Sequence, residues 1–168
     1  MKNVVLIGMP GSGKSTVGVV LAKVLGYRFI DSDLVIQEAE GKLLHEIISE
    51  KGIDGFLAVE NKINSELEPE HSVIATGGSA VFGKRGMANL EKCSHIVYLK
   101  VSLAEIENRV GDLVQRGVVL NGCKDVAELY DQRVPLYEHY GKIVIECDGK
   151  TVEQCVDEII DLVKEQEQ

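Results

Sequence analysis

The run Gly8-Met9-Pro10-Gly11-Ser12-Gly13-Lys14-Ser15 fits G-x-x-x-x-G-K-[ST] at every defined position. The chemistry it supports is capture of a polyphosphate. Glycines let successive backbone N–H groups turn inward around phosphate oxygens. A helix opening near Lys14 points its positive end at the same anion. Lys14 then reaches the β and γ phosphates, the Ser15 hydroxyl ligates Mg²⁺, and Thr16 adds a further phosphate contact. The expected nucleotide-binding set is therefore Gly11, Ser12, Gly13, Lys14, Ser15 and Thr16. A glycine-rich turn with no ligand is the plain alternative. The motif directly follows an apolar run of strand length and opens an amphipathic helix, which is the context that phosphate binding requires. By itself it implies only a nucleoside triphosphate site.

Two further groupings could act on an acceptor. Phe29-Ile30-Asp31-Ser32-Asp33 places two carboxylates one residue apart. One could hold Mg²⁺, directly or through water, while the other orients and deprotonates a hydroxyl. The structural alternative is an Asx-type turn and helix N-cap. Downstream, Val73-Ile74-Ala75-Thr76 runs into Gly77-Gly78-Ser79, where paired glycines allow close approach of a ligand to the backbone.

The elements that must position these residues can be read from periodicity. Asn3–Ile7, Arg28–Asp31, Ser72–Thr76, His95–Lys100 and Lys142–Glu146 are short, apolar and rich in β-branched residues, as buried parallel strands are. From Lys14, apolar residues at Val17, Val20, Leu21, Val24 and Leu25 mark one helix face, with Gly26 as its stop. Val152, Cys155, Val156, Ile159, Ile160 and Val163 mark another, and Thr151 with Gln154 predicts a capping box at its start. Ser102 and Glu105 predict a similar box. Residues 33–67 are expected to be mostly helical, with interruptions at Gly41 and around Gly52 to Gly55. Alternating β and α units imply an α/β fold with a parallel sheet and helices on both faces. Functional loops then leave the carboxyl ends of the strands.

Bulk properties narrow the partners. The 168 residues fit one domain, 45% of them apolar and 27% charged. The formal net charge of −9 opposes binding to nucleic acid, which needs a basic face. The first apolar run is too short for a signal sequence or a membrane span. None of the four cysteines stands in a C-x-x-C pair, so neither a zinc site nor a redox motif is expected, and the thiols fit the reducing cytoplasm. The expected partner is a small-molecule acceptor, and a monomer is the default.

Taken in order, the motifs add up. The phosphate loop is followed by F-x-D-x-D at the second strand, a Gly-Gly turn at the third and Ile96-Val97-Tyr98-Leu99 at the fourth. Then come Arg109 to Arg116 and Gln132-Arg133-Val134-Pro135-Leu136-Tyr137. Along essentially the whole chain this resembles the shikimate kinase family. The resemblance implies a three-layer P-loop kinase fold with a five-stranded parallel sheet, a helical substrate-binding segment at about 33–67 and a lid at about 110–123. It implies ATP and Mg²⁺ as cofactors, with Asp33 as base, Ser15 and Asp31 serving the metal, and Gly77, Gly78 and Arg133 on the acceptor. Arg116 would sit in the lid and join Lys14 on the phosphates, and Arg109 would pack near the adenine.

Departures from the family pattern bear on the acceptor. The family's F-R-x-x-E reads Phe56-Leu57-Ala58-Val59-Glu60, so Leu57 stands where an arginine would grip the acceptor carboxylate. Leucine replaces none of a charge-assisted, bidentate contact. Glu60 is then expected to stand without a cationic neighbour and to repel an anionic acceptor. The family's third glycine is Ser79, and its lid R-P-L-L reads Arg116-Gly117-Val118-Val119. Three readings stay open on these residues: phosphorylation of shikimate, phosphorylation of another small hydroxylated metabolite, or nucleotide binding without turnover.

Overall fold

The computed structural model describes residues 2–110 and 122–168. Five strands, β1 (Asn3–Ile7), β2 (Arg28–Asp31), β3 (Ser72–Ala75), β4 (Ser94–Lys100) and β5 (Ile143–Glu146), form one parallel sheet in the order β2-β3-β1-β4-β5. The first two strands have the predicted bounds. The other three shift by a single residue at one end, within the fraying expected of strand termini. At β3 the residue lost, Thr76, still donates both its N–H and its Oγ1–H to Leu6 O.

β1 takes the centre because every one of its residues is buried. Val4–Leu6 register with Val73–Ala75 on one side and Asn3–Ile7 with Ser94–Tyr98 on the other. Val5, Leu6 and Ile7 have no exposed surface, and each such side chain contributes roughly 1.5–3 kcal/mol of burial. The consequence is positional. β2 and β3 lie to one side of β1, β4 and β5 to the other, so the loop leaving β1 opens at the point where the strand order switches.

The helices are α1 (Lys14–Leu25), α2 (Ser32–Glu40), α3 (Leu44–Glu66), α4 (Lys84–Cys93), α5 (Leu103–Val110), α6 (Val126–Tyr140) and α7 (Val152–Gln166). α1 and α7 pack on each other and onto β3 and β5, while α4 and α6 pack onto β4. Gly26 ends α1 and Gly41 ends α2, both left-handed. Gly52 (φ 73°, ψ 177°) breaks the helical path within α3, as its position predicts. The Thr151–Gln154 capping box is complete in both directions. The Ser102–Glu105 box forms by half: Ser102 Oγ accepts from the Glu105 N–H, but the Glu105 carboxylate turns to Arg109 Nε at 2.8 Å. The Ser102 N–H that the return bond would use donates to Asp148 Oδ1 at 3.0 Å instead, which leaves Glu105 to its ion pair four residues on. Cys155 lies in the core, as its place on the apolar stripe predicts. Among the described residues no helix is long and apolar enough to cross a membrane.

Candidate active site

The segment from Gly8 to Gly13 connects β1 to α1 with left-handed backbone at Gly11 (φ 79°) and Gly13 (φ 93°). Gly13 is also the N-cap of α1 and makes no side-chain cap bond, so the helix's first N–H groups stay available to an anion. Lys14 is 8% exposed, and its Nζ donates to Gly8 O and Met9 O, each at 2.8 Å, and to Ser12 Oγ at 3.4 Å. Burial pushes its pKa down to about 8, partly offset by the charges of Asp33 and Asp31. A phosphate anion beside it would favour the charged form.

The two aspartates separate their roles by the way the chain turns. Asp31 ends β2 and caps α2, its Oδ1 accepting from the N–H groups of Asp33 at 3.0 Å and Leu34 at 3.4 Å. The Asx-turn reading of Asp31 is thus observed. Asp33, in the first turn of α2, projects into the cavity instead. Burial raises its pKa, the neighbouring Asp31 charge adds to this, and Lys14 opposes. A carboxylate so placed is a better proton acceptor than a solvated one.

The third part of the wall is the turn after β3. Gly77, Gly78 and Ser79 line the cavity. A Cβ on Gly78 would lie 2.6 Å from Arg133 Nη1 and 3.0 Å from Pro10 Cδ. Only glycine lets the phosphate loop, this turn and α6 approach so closely. Tyr137, one turn after Arg133, donates its hydroxyl to Gly78 O at 2.7 Å and so orients that peptide. Gly78→Ala is therefore expected to push Arg133 aside and to cost about 10²-fold in kcat/KM for the acceptor, measured by ADP release. An unchanged value would show that the guanidinium has slack.

Arg133 is 3% exposed, its guanidinium carbon 5.8 Å from the Phe82 ring centroid and its Nε buried without a hydrogen-bond partner. It lines the same cavity, about 470 Å³ in volume, as Gly11, Lys14, Ser15, Thr16, Asp33 and Gly78. The residues expected on the phosphate side and those expected on the acceptor side thus face one space. Leu44, His45, Ile48 and Phe56 complete the wall from α3. The predicted residue Arg109 stands at the outer edge, where Nη1 donates to Gly11 O at 3.1 Å. Arg116 and most of the predicted lid lie outside the described residues.

Leu57 packs against the apolar cluster of Ile36, Ile47 and Phe56, outside the cavity lining. One expectation changes. Glu60 is 2% exposed and does not stand alone, because Ser79 Oγ donates to its Oε1 at 2.7 Å. Burial raises its pKa to about 7, the Ser79 bond opposing the rise. A buried acid pushed toward its neutral form repels an anion less than a full charge does. The sequence signals for this pairing were both present as departures, at Leu57 and Ser79, but their connection runs through the fold. Tyr137, read from the sequence only as part of a motif, reaches the cavity wall through a bond to Gly78 O that spans 59 positions.

Magnesium suits the donors at hand. It needs one or two protein oxygens beside phosphate and water, not a dense cluster. The Ser15 hydroxyl lines the cavity and the Asp31 charge is felt at Lys14. Among the described residues no group of three or more His, Cys, Asp or Glu side chains is arranged to hold a metal.

A parallel sheet with a glycine-cradled phosphate loop at the switch point, and an acid and an arginine across the same cavity, define a P-loop small-molecule kinase. The family model for shikimate kinase matches residues 10–164. The chain is 34% identical over 165 residues to a shikimate kinase of Sulfurihydrogenibium sp. (strain YO3AOP1), covering 98% of this chain and 99% of the relative. It is 37% identical over 163 residues to that of Thermodesulfovibrio yellowstonii, covering 95% and 94%. Its structure resembles the shikimate kinase of Acinetobacter baumannii in complex with shikimate, with a TM-score of 0.89 at 28% identity over 99% of this chain and 94% of that one. The Aquifex aeolicus enzyme gives a TM-score of 0.81 at 27% identity, with 96% of each chain covered. The chain belongs to the shikimate kinase family.

Proposed function

We propose that this chain transfers the γ-phosphoryl group of ATP to a hydroxyl of shikimate, giving shikimate 3-phosphate and ADP. The observation that carries the reading is the single cavity shared by Lys14, Asp33 and Arg133. One residue faces the phosphates, one the hydroxyl and one the carboxylate of the acceptor.

The residues divide the work as follows. The loop amides and Lys14 orient the triphosphate and offset negative charge on the transferring group. Asp33 accepts the proton as the hydroxyl oxygen bonds to phosphorus and the bond to the β–γ bridging oxygen breaks. Arg133 and the Gly77–Gly78 backbone hold the acceptor, with Arg133 supplying the charge that a carboxylate requires. Magnesium, held by Ser15 and by Asp31 directly or through water, neutralises phosphate charge when bound. Arg109 braces the nucleotide side of the loop, and Arg116 is assigned to the lid from the family pattern.

Coupled ADP-release assays with shikimate and a panel of hydroxy acids and polyols test the reading. Fast, Mg²⁺-dependent turnover of shikimate supports it. Background turnover with shikimate beside a fast alternative would remove it. Arg133→Ala should raise KM for shikimate by about 30-fold or more while leaving KM for ATP near normal, since truncating one partner of a buried charged contact costs roughly 2–5 kcal/mol. An unchanged KM for shikimate would free Arg133 of its assigned role.

A further inference from the structure

The turn after β3 has two forms open to it, and the fold holds one. Ala80 N–H donates to Gly77 O at 3.1 Å, so Gly77 to Ala80 form a β-turn with Gly78 and Ser79 at its centre. Ser79 has φ −90° and ψ −3°, the values of the third residue of a type I turn. The type II form differs by a flip of the central Gly78–Ser79 peptide and needs positive φ at the third residue. Gly78 has no Cβ to oppose that flip. The flip exchanges a carbonyl and an N–H on a wall that both residues line. An acceptor oxygen would then meet a partial negative charge in place of a donor.

Two groups hold the observed form. The Tyr137 hydroxyl donates to Gly78 O, the carbonyl of the central peptide, at 2.7 Å. Among the described residues that peptide makes no other hydrogen bond. Tyr137 has no exposed surface, and its ring stacks on Tyr98 with centroids 5.3 Å apart at 27°. Tyr98 belongs to β4 and registers with Ile7, the last residue of β1 before the phosphate loop. The hydroxyl is thus anchored to the sheet. Ser79, standing where the family pattern has a third glycine, is the other group, because its Cβ disfavours positive φ. Gly77 is held separately, its N–H donating to Ser32 Oγ at 3.3 Å.

We propose that Tyr137 is a positioning residue for the acceptor: with Ser79 it keeps the Gly78–Ser79 peptide from flipping. A trans peptide is planar, so fixing the carbonyl on Tyr137 fixes the N–H on the opposite side. The same restraint steadies Arg133. That residue lies one turn before Tyr137 on α6, and its Nη1 is 2.6 Å from where a Cβ on Gly78 would stand. A shift of Gly78 therefore disturbs the guanidinium as well. The proposal rests on the reading of this turn and Arg133 as the wall that holds the acceptor.

The test combines Tyr137→Phe, which removes only the hydroxyl, with Ser79→Gly and Ser79→Ala. Y137F should raise KM for shikimate about 5-fold, with kcat and KM for ATP near the wild-type values. S79G alone should raise it about 2-fold, since Tyr137 still holds the carbonyl. Together they should exceed the product of the single effects, at about 30-fold or more, because each removes one restraint on the same flip. Y137F with S79A should show only the product, because alanine keeps the Cβ and loses only the bond to Glu60. An unchanged KM in Y137F, or a Y137F/S79G effect no larger than the product, overturns the proposal. So does a KM for ATP that rises in step, which marks general loosening. A crystal structure of Y137F/S79G reads the peptide without any turnover: a flipped Gly78 carbonyl is expected, and the wild-type orientation would overturn the proposal. Wild-type protein inactive on shikimate, beside a flipped variant, would remove the functional reading and leave the restraint on the turn standing.

Discussion

Lys14→Ala is expected to lower kcat/KM by about 10³-fold or more, the largest effect of any single change in this chain. The reason is electrostatic. The protein carries a formal charge of −9, and Lys14 is the buried cation within the phosphate loop. Removing it leaves the loop to hold a triphosphate through amide dipoles alone and takes away the loop's one cation from the charge that spreads over the transferring group. It also strips a donor from Gly8 O and Met9 O, which costs about 1–3 kcal/mol if water cannot replace it. Stability must therefore be followed beside activity. Alanine suits the first turn of α1, so a cooperative unfolding transition should persist even as turnover vanishes. ADP release and thermal melting on the same preparation check both parts. A folded variant turning over at near-normal rate would overturn the assignment of the loop.

Asp33→Asn is expected to spare ATP binding and to lower kcat by about 10²–10⁴-fold. Asparagine has the same shape and can keep the N-terminal turn of α2, but it cannot take a proton from the acceptor. The variant also relieves Lys14 of one negative neighbour, so the affinity for the nucleotide should hold or rise slightly. Calorimetry with ATP and Mg²⁺ reads the binding, and the coupled assay reads the transfer. Unchanged kcat would show that the proton leaves by another route, and a parallel loss of ATP affinity would mean that Asp33 serves the nucleotide instead.

Both expectations rest on residues that short-range spacing reveals. The phosphate loop, the Asp31–Asp33 pair and the Gly77–Gly78 turn were each legible because their chemistry depends on backbone conformation over a few neighbouring residues. Glycine permits positive φ or close approach wherever it stands, and a strand followed by a helix places that freedom at a carboxyl end. The capping box at Thr151 and the stops at Gly26 and Gly41 are local for the same reason.

Glu60 shows where such reading fails. From the chain it looked like a carboxylate deprived of its partner by Leu57. In the fold it is buried and bonded to Ser79 nineteen positions away, behind the Gly77–Gly78 turn. Leu57, which stands where the family has an arginine, packs into an apolar cluster. Half of the Ser102–Glu105 box is replaced by a bond from the Ser102 N–H to Asp148, forty-six positions away, while Glu105 pairs with Arg109.

Local order in the chain was sufficient to specify the glycine-rich loop between β1 and α1 and which strands and helices line the cavity, because hydrogen-bonding and dihedral preferences act between near neighbours. Which carboxyl groups burial pushes toward their neutral forms, and what Arg133 and Glu60 lie beside, was decided by packing. Desolvation and pairing depend on side chains brought together from α2, α3, α6 and the turn after β3, and no spacing along the chain encodes their distances.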